Sequence, residues 1–227
     1  MVANINGVFY KNTQPANEEL AEAMKSFPGR FVPYAVINPS YPDWEYDPEV
    51  CHTQLGMRGL RLYPQYHDYR LTDHRFAKPL ELARSLRLPV AFSRWLVDDR
   101  QHSWMDIGGE LKLDSLVPMI AENPATYVLL NALLTPMKDE YLSVLHNADV
   151  YFDTVYASAT LPPESGYNIV ALVKEFGADR FLFGSEYPFR DPMSALIRLE
   201  VAKEFDSATK EAIWAGNAQR LLVGHTG

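Results

Sequence analysis

One cysteine, Cys51, is all that 227 residues contain. No internal disulfide can form, which agrees with a reducing compartment and leads us to expect a cytoplasmic protein. Long hydrophobic runs are also missing. No stretch approaches the ~20 apolar residues needed to cross a bilayer, and the opening MVANINGVFYKN lacks the basic segment and apolar core of a signal peptide. Positive charge is in deficit: 21 Lys and Arg face 29 Asp and Glu, for a net charge of −8. A phosphate backbone demands a basic footprint, so neither a nucleic-acid nor a membrane partner is expected. There is no Gly-rich phosphate loop, no C-x-x-C pair and no H-E-x-x-H helix. What is abundant is apolar residue, 47% of the chain with 12% aromatic, enough for a continuous core and against global disorder.

Two patterns alternate along the chain. Short apolar runs, each stopped by a polar residue, Gly or Pro, read as strands: Asn6–Tyr10, Phe31–Ile37, Gly59–Tyr63, Leu88–Phe92, Tyr127–Leu130, Val150–Asp153 and Arg180–Gly184. They are nearly continuous in apolar residues, as strands buried on both faces of a parallel sheet are. Between them, helical spacing predicts helices over Asn17–Phe27, Pro48–Leu55, Asp73–Leu86, Leu111–Glu122, Lys138–His146, Ser165–Phe176 and Pro192–Phe205, then a last one over Ser207–Leu222. Asp206 or Ser207 suits the N-terminus of that last helix, and Gly177 follows Phe176 where a C-terminal glycine is wanted. Pro79 marks a start inside its segment. Strand then helix, repeated about seven times, implies parallel strands joined by right-handed crossovers. With no G-x-G-x-x-G after the first run, the dinucleotide-binding sheet loses to a closed (β/α) barrel. No linker or composition shift divides the chain, so residues 1–227 are expected to form a single domain.

Three stretches, Gly56–Asp73 (GMRGLRLYPQYHDYRLTD), Arg84–His102 (RSLRLPVAFSRWLVDDRQH) and Ala178–Leu196 (ADRFLFGSEYPFRDPMSAL), with the Gly216–Leu222 tail GNAQRLL, resemble the amidohydrolase-related family of metal-dependent hydrolases. The likeness runs from about Asn17 to Leu222. It implies a (β/α)8-type TIM barrel, lacking the first strand, and a hydrolase or related lyase acting on a small carbonyl or carboxylate compound. It also implies a divalent metal, zinc or manganese, at the barrel mouth, where such an ion makes hydroxide near neutral pH. The family's ligand pattern has an H-x-H on the first strand, histidines ending two later strands, and an Asp in G-S-D-Y-P. Here the chain begins within the second strand–helix unit, Ser93 and Asn131 stand at the two histidine places, and Glu186 replaces the Asp. One carboxylate with two weak neutral ligands does not make a tight transition-metal site. A degenerate metal site with no bound metal is therefore the expectation. An unpaired barrel edge would promote self-association, so a homo-oligomer is a further one.

Polar residues at strand C-termini converge on one mouth in such a barrel. Glu186 and Asp153 are the candidate catalytic pair, since two carboxylates in different surroundings can divide acid and base duties; their other role is to satisfy Arg61, Arg94 or backbone N–H groups. Arg61, Tyr63, Ser93, Arg94, Asn131 and His102 are candidates for holding a small, possibly anionic ligand, with Asn131 able to polarise a carbonyl. Arg61, inside an apolar strand, needs a partner: either an internal ion pair with Glu186 or Asp153, or an anion. Asn38, before Pro39, reads as a turn residue, and His67 as a loop histidine. Cys51 has no positioned base beside it, which argues against a thiol nucleophile. The alternative function is a barrel without catalysis, retained for ligand binding or assembly.

Overall fold

A computed structural model describes residues 1–73, 76–96, 103–131, 138–188 and 190–223. Six parallel strands follow in chain order, each separated from the next by a helix. They are β1 (Ala35–Val36), β2 (Leu60–Leu62), β3 (Val90–Ser93), β4 (Tyr127–Leu130), β5 (Val150–Asp153) and β6 (Phe181–Leu182). The helices are α1 (Gln14–Met24), α2 (Asp47–Thr53), α3 (Ala77–Ser85), α4 (Leu113–Glu122), α5 (Asp139–Asn147), α6 (Ile169–Phe176), α7 (Pro192–Glu200), α8 (Ser207–Glu211) and α9 (Asn217–Val223). A π-helical turn, Ala212–Gly216, joins the last two. The chain divides into two compact units, Met1–Tyr127 and Val128–Gly227.

In the first unit β2 pairs with β1 (Val36 opposite Arg61) and with β3 (Arg61 opposite Ala91). Leu60, Leu62, Val90 and Phe92 have no more than traces of exposure, as the continuous apolar runs require. The run Asn6–Tyr10 is not a strand. Ile5–Val8 is a 3-10 helix, capped by Asn4, whose side chain accepts from Asn6 N. Asn4, Asn6 and Gly7 supply turn chemistry that outweighs the short apolar run. The run Phe31–Ile37 contracts to Ala35–Val36, because Pro33 has no N–H for a ladder. Val2 lies beside it instead: its N–H donates to Val32 O (2.9 Å), Tyr34 N–H donates to Val2 O (2.8 Å), and Val2 forms a parallel bridge to Pro33.

Side chains complete the backbone bonding of β1. Asn17, fully buried on α1, donates from Nδ2 to Val36 O (2.9 Å) and accepts from Val36 N at Oδ1 (2.8 Å). A carboxamide thus copies the donor–acceptor pair of a neighbouring strand. Pro79 falls in the first turn of α3, where its missing N–H costs nothing.

In the second unit Phe152 and Asp153 of β5 face Phe181 and Leu182 of β6. Asn168 caps α6 by accepting from Ala171 N, and Gly177 (φ 88°) ends it. Asp206 caps α8 by accepting from Thr209 N (2.8 Å). Arg180 donates to the carbonyls of Leu145, His146 and Ala148, closing the C-terminus of α5. Asn217, fully buried, donates to Ala178 O (2.7 Å) and Phe181 O (2.6 Å), fastening α9 to β6. Among the described residues no helix is long and apolar enough to cross a membrane.

Candidate functional site

In the first unit, the β2–β3 ends bring together Arg61, Tyr63 and Ser93. Leu60 and Leu62 fill the core, so the alternation of the strand turns Arg61 and Tyr63 to the same face. Arg61 Nε donates to the Tyr63 hydroxyl (3.0 Å), Nη2 donates to Ser93 Oγ (2.5 Å), and the guanidinium lies 5.2 Å from the Tyr63 ring centre. Both partners are neutral. The guanidinium is only half-buried and answers to no carboxylate among the described residues. Gln65, not singled out from the sequence, reaches the same strand end: Nε2 donates to Ser93 O (3.0 Å), while its buried Oε1 has no partner among the described residues. Its position two residues past Tyr63 is the signal that would have pointed to it.

Arg94, the next residue after β3, is buried and committed elsewhere. Its Nε donates to Glu110 Oε1 (2.6 Å), with a second bond from Nη2, and its guanidinium lies 4.9 Å from the Trp95 ring centre. His102 lies outside the described residues. Asn38 is a turn residue, its Oδ1 accepting from Ser40 N (3.0 Å) and its Nδ2 donating to Lys11 O (2.9 Å). His67 is buried rather than exposed on a loop. Its Nε2 lies 3.0 Å from Gly7 O, and burial lowers its pKa, so the ring is neutral at physiological pH. Cys51 contacts Gln14 Oε1 (3.3 Å), and burial pushes its thiol up to about 12, far from a reactive thiolate.

In the second unit, Asn131, Asp153 and Glu186 follow or end their strands. Asn131 (φ 59°) and Glu186 (φ 58°) both adopt the left-handed backbone region. Asparagine tolerates that region and glutamate pays for it, a cost of the kind that collects at functional sites. Asn131 N donates to Asp153 Oδ1 (3.1 Å). Gly184 explains part of the G-S-E motif: a Cβ there would meet Val155 Cγ2 at 2.7 Å and Asp153 Cβ at 3.0 Å. Only glycine lets the segment after β6 pass this close to Asp153.

Glu186 sits in a cationic setting that the sequence did not reveal. Its Oε2 accepts from Arg190 Nε (2.6 Å), and its Oε1 accepts from the Tyr156 hydroxyl (3.3 Å). Arg190 Nη2 donates to the same hydroxyl (3.2 Å), with the guanidinium 4.7 Å from the Tyr156 ring centre. The carboxylate is 15% exposed and Arg190 36%. Arg198, from α7, donates through Nη2 to Val155 O (2.6 Å). Glu186 and Arg190 lie between β6 and α7, outside any helix, so their spacing of four carried no helical pairing signal, and nothing local indicated Tyr156 or Arg198.

Comparison with known proteins places this architecture. No curated protein sequence matches the chain. Among solved structures, 2,6-dihydroxybenzoate decarboxylase from Rhizobium is similar with a TM-score of 0.69 and 19% identity, over 93% of this chain and 76% of that one. Dihydroxybenzoic acid decarboxylase from a Polaromonas species, solved with manganese and the inhibitor 2-nitroresorcinol, gives 0.69 and 18%, over 95% and 76%. A TIM-barrel protein from Bordetella bronchiseptica gives 0.68 and 19%, over 95% and 76%. At these identities the likeness establishes the fold, that of the TIM barrels. The family model described as Amidohydrolase matches residues 6–223, and the chain therefore belongs to the amidohydrolase family.

Proposed function

We propose that this chain is a lyase or hydrolase of the amidohydrolase family that takes a small carboxylate at its strand C-termini and does so without a tightly held divalent metal. The observation that carries the reading is Arg61 donating to Ser93 Oγ. The resemblance reserves the Ser93 place for a metal-ligating histidine; here a hydroxyl stands there, already accepting from a cation. A guanidinium repels a divalent ion and attracts an oxyanion. The other two reserved places support the same conclusion. Asn131 offers a neutral amide, and Glu186 is paired with Arg190. Hydroxyl and amide are weak ligands for zinc or manganese, so the residues present do not fit a tight centre. The names of two similar structures, both decarboxylases of dihydroxylated benzoates, favour a small aromatic carboxylate as the ligand class.

In this reading Arg61, with the hydroxyls of Tyr63 and Ser93, holds the ligand carboxylate. In the second unit, taken by itself, Glu186, which accepts from Arg190 and Tyr156, is the candidate proton acceptor or donor, with Asp153 as the second carboxylate. A second reading, a barrel that binds without catalysis, is favoured by one observation: both oxygens of Glu186 already accept hydrogen bonds.

Elemental analysis of protein purified without added metal tests the first part. We expect well under one equivalent of zinc, manganese or iron per chain, and one tightly bound equivalent would refute the ligand reading. Decarboxylation and hydrolysis assays over a panel of hydroxybenzoates then separate the two readings. Turnover lost by about 100-fold or more in E186Q supports acid–base catalysis; wild-type protein that binds benzoates with no turnover leaves the binding role.

A further inference from the structure

We propose that Tyr156, Arg190 and Arg198 form an oxyanion site in the second unit that takes the carboxylate of a small planar ligand. Arg190 and Arg198 are both held at the Val155–Tyr156 segment, Arg190 through the Tyr156 hydroxyl and Arg198 through Val155 O. Glu186 answers Arg190, through Oε2 to Nε. Among the described residues Arg198 forms no ion pair with a carboxylate; its Nη2 donates to Val155 O, and its buried Nε–H has no acceptor. A buried, unsatisfied donor on a charged group is expensive, so such groups are paired or await a ligand. Burial first, and then the like charge of Arg190, lower the pKa of Arg198. A bound anion would offset both the burial and the like charge.

The geometry suits a carboxylate. Each guanidinium presents a planar fork of donors. Arg190 lies over the Tyr156 ring and donates to its hydroxyl, which holds the fork in one orientation. Tyr156 adds a hydroxyl that can turn from Glu186 to a ligand oxygen. Arg190 is the more exposed member, 36%, so the site can be reached from solvent. That the oxyanion is a carboxylate rests on the proposed function; that an anion belongs here rests on the arginine pair alone.

Isothermal titration of the full chain with sodium benzoate, at ionic strength fixed with sodium chloride, tests this beside R190Q, R198Q and R61Q. We expect wild-type protein to bind and both R190Q and R198Q to weaken binding about tenfold or more, as loss of a charge-assisted pair requires. R198K retains a donor for Val155 O and guards against misfolding; it should melt like wild type yet bind at least threefold more weakly. Loss confined to R61Q overturns this site and leaves the proposed function standing, whereas loss confined to R190Q and R198Q does the reverse. R190Q, R198Q and R198K all within twofold of wild type, a wild-type chain that does not bind benzoate, or binding of inorganic phosphate alone would overturn the proposal.

Discussion

Asp47, the first residue of α2, carries a pKa raised to about 6, chiefly by burial and further by the nearby carboxylates Glu18 and Glu45. A folded-state value above the unfolded one means that the native protein holds more protons between pH 4 and 6. Stability then falls as pH rises through that window and stays lower above it. A two-unit shift is worth roughly 3 kcal/mol in full. Solvent screening and the favourable N-terminus of α2 reduce that to about 1 kcal/mol. D47N should therefore be more stable than wild type by about 1 kcal/mol at pH 7.5 and equal to it below pH 4, as read by urea unfolding at both pH values. A difference that persists at low pH would exclude the titration. The same scale separates Arg61 from Arg94, neighbours of strand ends that the sequence treats alike: one guanidinium meets two hydroxyls, the other a carboxylate.

At the scale of the element, the strands of this chain are short, and side chains finish their hydrogen bonding. β1 has two residues, and Asn17 bonds both backbone groups of Val36. N17A leaves a buried N–H and a buried C=O without partners, at about 1–3 kcal/mol each, partly offset by relaxation. We expect the first unit to lose about 2–4 kcal/mol in chemical denaturation, with faster amide exchange at Val36. A loss below 0.5 kcal/mol would mean that other groups satisfy β1. The expected strands Tyr127–Leu130 and Val150–Asp153 are found with unchanged ends, because apolar runs bounded by polar residues hold their own limits. Phe31–Ile37 shrinks for want of a Pro33 N–H, a property of one residue that a count of apolar positions misses.

For the whole molecule, the charge balance sets behaviour in solution. A net charge of −8 at pH 7 keeps molecules apart, and the sequence isoelectric point of about 5.2 marks where that repulsion vanishes. Light scattering across pH should show strongest self-attraction near pH 5, relieved by moving to pH 7.5 and little changed by benzoate. An attraction maximum above pH 7 would point to a specific contact between chains instead of charge.

Alternating apolar runs and helical spacing, the caps Asp206 and Gly177, and the G-S-E-Y-P and G-N-A endings are local patterns, and they sufficed for the parallel strand–helix architecture and the family. Local pattern works there because a strand or a cap is decided by residues within a few positions of one another. The partners of the polar groups at the strand ends were decided only by tertiary structure. Arg61 reaches Ser93 across 32 positions, Glu186 reaches Tyr156 across 30, and Arg198 reaches Val155 across 43. Which charge faces which group depends on how distant segments pack, and no spacing in a single chain records that.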